Sequence, residues 1–143
     1  MSTSVGTESE ASPAGKSEGP PVVQVSRAVA ASVTHVWEVL VSPAGAQALL
    51  GEGATLGAKG EPYHCTDGAS GVLRSYHPLE QLRVSWHEKP DSPPSIVEVD
   101  LRAEGAGTVL ELRQDHLQHL SDVEALTARW AAALDSVAAR AET

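Results

Sequence analysis

The feature that most constrains this chain is an apolar stripe close to its C-terminus. Val123, Leu126, Thr127, Trp130, Leu134, Val137 and Ala138 recur at helical spacing, opposite Glu124, Arg129, Asp135 and Arg140. Such a stripe has to be buried, so the residues before it must supply one matching apolar surface. The start of the helix is marked as well. Ser121-Asp122-Val123-Glu124 reads as a capping box, with Ser121 and Glu124 placed to satisfy each other's backbone donors. From there the helix can run for about 20 residues, or ~30 Å.

The matching surface lies in the middle of the chain. From Gly51 to Asp115 the sequence breaks into short alternating segments separated by turn residues. Strands are expected over Glu61 to Thr66, Gly71 to His77, Gln81 to His87, Ser95 to Ala103 and Thr108 to Gln114. Asp67-Gly68, His77-Pro78, the loop Glu88 to Pro94 and Glu104-Gly105-Ala106-Gly107 are the turns between them. Leu82, Val84 and Trp86 share a face against Arg83, Ser85 and His87, and Val97, Val99 and Leu101 oppose Glu98, Asp100 and Arg102. Clean alternation of this kind indicates an antiparallel sheet with one wet face. Upstream, Val23, Val25, Arg27 and Val29 form a first strand, and Ser32 caps a helix whose buried face is Val33, Val36, Trp37 and Leu40. Ser42-Pro43 ends that helix, because the residue before proline avoids the helical region. A second short helix runs from Ala44 to Leu50 and stops at Gly51. The order β-α-α-β-β-β-β-β-α makes this an α+β chain.

Composition narrows the functions. The 143 residues suit one domain, expected over 21–143, after a Ser, Thr, Gly, Pro and Glu-rich segment (1–20) that reads as a disordered tail. A net charge of −9 with scattered basic residues argues against nucleic acid and anionic membrane surfaces. No apolar run reaches the roughly 18 residues of a membrane span, and the start lacks a secretion signal. Cys65 is the only cysteine, so no intrachain disulfide forms and a cytoplasmic location is expected. Phenylalanine is absent, leaving Val, Leu, Ala and three tryptophans to build the core and line any cavity.

Several local sequences resemble the activator-of-Hsp90-ATPase-like branch of the START-like superfamily. Val33-Thr34-His35-Val36-Trp37-Glu38-Val39-Leu40 followed by Ser42-Pro43 is similar to that family's opening helix. Gly71-Val72-Leu73 through His77-Pro78 to Leu82-Arg83-Val84-Ser85-Trp86 resembles its central strand pair. Ser95-Ile96-Val97-Glu98-Val99, Gly107-Thr108-Val109-Leu110-Glu111-Leu112 and Trp130-Ala131-Ala132-Ala133-Leu134 match later motifs. The chain departs from the pattern at Leu49-Leu50, where the family often has tryptophan. It departs again at Leu126 or Thr127 and at Arg129, where the family often has histidine and glycine. The resemblance implies a helix-grip fold: a curved antiparallel sheet of about six strands around a long C-terminal helix, with two short helices after the first strand. It also implies a cavity between sheet and helix rather than a particular reaction.

Arg74, Tyr76, Trp86, Trp130 and Leu134 are the candidates for lining such a cavity. Arg74 and Tyr76 share a strand face with Val72. If that face is concave, Arg74 can fix a carboxylate and Tyr76 can donate a hydrogen bond; if it is outer, both are solvated. Trp37, Trp86 and Trp130 all fall on apolar faces and read as core, Trp130 also as a candidate for the cavity wall. His116 and His119, flanked by Asp115 and Asp122, superficially resemble a metal site, but they lie in a loop without helical register, and a closed zinc site needs four ligands. His64 and Cys65 are adjacent on a strand and point to opposite faces, so they form no nucleophile–base pair. Neither a metal nor a cofactor is expected. The leading functional expectation is binding of a small apolar or amphipathic molecule. A cyclase or aromatase-like enzyme using Arg74, Tyr76 or His64 and a co-chaperone-like interaction domain are the alternatives. A homodimer is expected by analogy alone.

Overall fold

The computed structural model describes residues 22–89, 91–117 and 122–142. The N-terminal segment (1–20) read as a tail lies outside the described residues, as do Ser121 and His119. The elements are β1 (Val23–Val29), α1 (Val33–Val41), α2 (Pro43–Leu50), β2 (Pro62–His64), β3 (Ser70–His77), β4 (Gln81–Trp86), β5 (Ser95–Glu104), β6 (Gly107–Asp115) and α3 (Val123–Ala141). The six strands form one sheet in the order β1-β6-β5-β4-β3-β2, every neighbouring pair antiparallel. The helix-grip architecture expected from the sequence is therefore present. Among the described residues no helix is long and apolar enough to cross a membrane.

Ser42 turns the chain between the first two helices. Its hydroxyl donates to the Val39 carbonyl at 2.6 Å and accepts from the Gly45 N–H at 3.1 Å, closing α1 and capping α2 with one side chain. Helix α2 begins at Pro43 rather than Ala44, because proline at a first helical position lacks only an N–H that would have no helical partner. Gly45 is required there: a Cβ at this position would collide with the Val39 carbonyl.

Helix α3, 19 residues long, begins one residue later than a cap at Ser121 implies. Asp122 is the N-cap, its carboxylate accepting from Ala125 N–H at 3.0 Å. Leu126, Trp130, Leu134, Val137 and Ala138 are buried, against the inner face formed by Leu82, Val84, Val97, Val99, Leu110 and Leu112. One polar chain runs through this core. The Trp130 indole N–H donates to Gln114 Oε1 at 2.7 Å, Gln114 Nε2 donates to Ser95 Oγ at 2.8 Å, and the Ser95 hydroxyl donates to the Trp86 carbonyl at 3.1 Å. Gln114 is completely buried, so this relay meets the requirement that buried polar groups be paired while fixing α3 over β4, β5 and β6.

Candidate functional site

The strand pair β3–β4 decides which side chains can reach a cavity. Leu73 pairs with Val84, but Ser75 pairs with Arg83 and Tyr76 with Leu82, so Arg74 is an extra residue in a bulge. Past the bulge the faces exchange. Tyr76 stands beside Leu82 on the inner side, and Arg74 is exposed. The expected sharing of one face by Val72, Arg74 and Tyr76 is thus corrected: the inserted residue parts them.

The other end of β3 keeps its register, with Ser70 bridging His87. The Val72 N–H bonds to Ser85 Oγ at 2.9 Å, and the Ser85 carbonyl accepts from the Tyr63 hydroxyl at 2.6 Å. Side chains here replace ladder bonds, and Gly71 permits it, since any Cβ would overlap the Ser85 carbonyl.

At the bulged end a cavity of about 140 Å³ opens between α1, the segment before β2, and the strands. Trp37 and Val41 come from α1, Leu56 and Gly57 from the connecting segment, Leu73 and Tyr76 from β3, and Leu82 from β4. The Trp37 and Tyr76 rings lie 6.5 Å apart between centroids and tilt by 33°. No lining residue carries a formal charge. Val41 and Tyr76 form the open side and are 36% and 46% exposed.

The remaining sequence candidates sit elsewhere. Trp86, Trp130 and Leu134 are buried at 3%, 0% and 1% exposure in the packed core under α3. Trp86 and Trp130 meet edge to face with centroids 5.4 Å apart. The Arg129 guanidinium lies 5.0 Å from the Trp86 ring centroid and 5.4 Å from that of Trp130. It also donates to the Leu50 carbonyl at 2.9 Å and approaches Asp67 at 3.5 Å. Arg129 therefore reaches round from the solvent side of α3 to join it to the end of α2 and the turn after β2. The Trp86 indole N–H is buried and meets no hydrogen-bond acceptor among the described residues.

Cys65 is buried, and its thiol donates to the same Leu50 carbonyl at 3.3 Å. Burial pushes the thiol pKa up, the Asp67 carboxylate adds to this, and Arg129 opposes it. A thiol held protonated in this way is a poor nucleophile. His64 is exposed. Burial also raises the Tyr63 phenol strongly, helped by Cys65 and opposed by Arg129. His116 hydrogen-bonds Asp115 at 2.8 Å. Burial raises the Asp115 pKa, but hydrogen bonds from His116 and Arg113 outweigh it and hold the carboxyl below its ordinary range.

A larger hollow of about 350 Å³ lies on the wet side of the sheet among Gln24, Ser26, Asp100, Glu111 and Arg113. Val25 and Leu112 complete its walls, and two of the polar side chains are already paired across strands: Glu111 with Arg102 and Asp100 with Gln81. It is a furrow between solvated charges, whereas the α1 cavity offers apolar walls.

No family model matches this chain, and no curated protein does. Solved structures do. DynU16, a protein in the dynemicin biosynthetic locus, superposes with a TM-score of 0.73 at 22% identity over 87% of this chain. This chain spans only 48% of DynU16. CalU16 from Micromonospora echinospora gives a TM-score of 0.68 at 23% identity, covering 85% of this chain and 76% of that one. The Aha1 dimer from Colwellia psychrerythraea gives 0.71 at 14% identity, covering 85% and 96%. At these identities the likeness establishes the shared fold.

Proposed function

We propose that the protein binds a small apolar or amphipathic molecule at the α1 end of the sheet, with Trp37, Leu73, Tyr76 and Leu82 as contact residues. The observation that carries this reading is the coincidence of cavity and exposure. Of the four large hydrophobic side chains exposed among the described residues, two, Val41 and Tyr76, stand on this one cavity. Apolar surface left in water is unfavourable by roughly 25 cal/mol per Å², and a ligand that covers it recovers that free energy. In this reading Trp86, Trp130 and Leu134 belong to the packed core under α3 and take no part in binding, and Arg74 stays in solvent.

The cyclase-like alternative has less support. Of Arg74, Tyr76 and His64, only Tyr76 lines the cavity, and the wall holds no carboxylate or imidazole to carry a proton. Native mass spectrometry of protein purified from its own host, beside the same sample denatured, tests the binding reading. A co-purifying small molecule that is absent when Leu73 is replaced by Trp supports it. A molecule retained equally by Leu73→Trp places the binding elsewhere.

A further inference from the structure

Resting on that binding reading, we infer that the α1 cavity selects an uncharged planar ring bearing a hydrogen-bond acceptor, and that Glu61 is the residue that turns anions away. Four features of the wall lead there. The first is size. A closed apolar cavity of about 150 Å³ accepts a benzene molecule, and this one measures about 140 Å³ with one side open. One ring fits inside, and any substituent has to leave between Val41 and Tyr76.

The second is the spacing of the aromatic pair. A ring stacked between two others needs about 7 Å between the outer planes, twice the contact distance of ~3.5 Å. The Trp37 and Tyr76 centroids are 6.5 Å apart. That separation is within the range of a direct aromatic pair, so a ring stacks between the two only when Tyr76 swings outward, which a half-exposed side chain can do on fast timescales.

The third is the polarity of the side chains present. An indole N–H only donates, and a phenol hydroxyl donates or accepts. A carbonyl or ether oxygen on the ligand is met by either group, whereas a ligand donor is met by Tyr76 alone.

The fourth is charge. The bulge removes Arg74 from the wall, so no cation on it offsets an anionic ligand. On the other side, the Glu61 carboxylate accepts the Ala58 N–H at 3.2 Å and folds over Gly57, where it fills the space a Cβ would take. Gly57 is part of the wall. The Glu61 carboxylate is exposed beside this part of the wall and held there by its own turn, so an entering anion meets like charge at the edge of the cavity, across solvent.

Ligand-observed NMR titrations with acetophenone, benzoate and cyclohexyl methyl ketone separate these claims. The expected order is acetophenone tightest, the non-planar ketone weaker, and benzoate weaker than acetophenone by about threefold, the scale of one like-charge contact at an exposed site. Glu61→Gln keeps an oxygen for the Ala58 N–H, so the turn is retained. It should recover most of the benzoate loss while leaving acetophenone unchanged, and added salt should narrow the wild-type gap in the same direction. Benzoate binding as tightly as acetophenone overturns this inference while leaving the binding reading intact. Equal affinity for the two ketones overturns the planar-ring part. Failure of all three probes to bind overturns the ring inference, and the native mass spectrometry comparison with Leu73→Trp decides the binding reading separately.

Discussion

The two ends of this protein's interior are built from similar residues and behave differently. Under α3, Trp130 and Trp86 meet edge to face, and a buried relay through Gln114 and Ser95 ties the Trp130 indole to the Trp86 backbone. Under α1, Trp37 and Tyr76 tilt apart around an opening, with Tyr76 nearly half exposed. In the first region each ring has neighbours on all sides and the relay is satisfied internally. In the second the rings line an open cavity, and Val41 and Tyr76 stand exposed at its mouth. The space lies where packing stops, and in this chain a one-residue bulge and a short helix decide where that is.

Four experiments break or sharpen the contrast. The largest effect is expected from Trp130→Ala, which empties the packed end and should cost about 3–5 kcal/mol in denaturant unfolding. A cost below about 1 kcal/mol would mean that end is loosely packed after all. Gln114→Met comes next. It keeps bulk but strands the Trp130 indole N–H, while the Ser95 hydroxyl loses one donor and keeps its own bond to the Trp86 carbonyl, for an expected loss of about 1–3 kcal/mol.

The third experiment is alkaline titration of stability. Cys65 and Tyr63 are both raised by burial from ordinary values of 9.0 and 10.0. Each binds its proton more tightly when folded, so its contribution is complete below the unfolded pKa and is lost as pH climbs past it. Stability should hold to about pH 9 and then fall, with Cys65→Ala and Tyr63→Phe each flattening the decline. A profile for Cys65→Ala and Tyr63→Phe together as steep as that of wild type would show that these groups do not cause it. The smallest stability effect is expected at the open end: Tyr76→Ala should cost about 1 kcal/mol, because nearly half of the residue already lies in water. Ligand affinity should nevertheless fall at least severalfold in a binding titration. A large stability loss would make Tyr76 a core residue like Trp130.

The sequence carried the fold further than the site. Alternation in Leu82-Arg83-Val84-Ser85-Trp86 and the stripe on α3 state which faces are buried, and those faces are the ones that meet. The errors share one cause: they depend on pairing rather than on pattern. Leu73-Arg74-Ser75-Tyr76 reads equally well with or without a bulge, and only the partner strand's register puts Tyr76 inside. Arg129 falls on the polar side of a helical wheel, yet its long stem carries the guanidinium back over two indoles. Pro43 was the legible exception, since a proline just after a serine is as good a helix start as a helix stop. A cavity has no residue signature at all, because it is made of side chains that fail to meet.

The three tryptophans supply the most direct test, one standing on the proposed cavity and two in the packed core. Benzene titrated into ¹⁵N-labelled protein should shift the Trp37 indole N–H signal and leave those of Trp86 and Trp130 in place. Shifts at Trp86 and Trp130 with Trp37 unmoved would contradict the account, placing the ligand space under α3 and the close packing under α1.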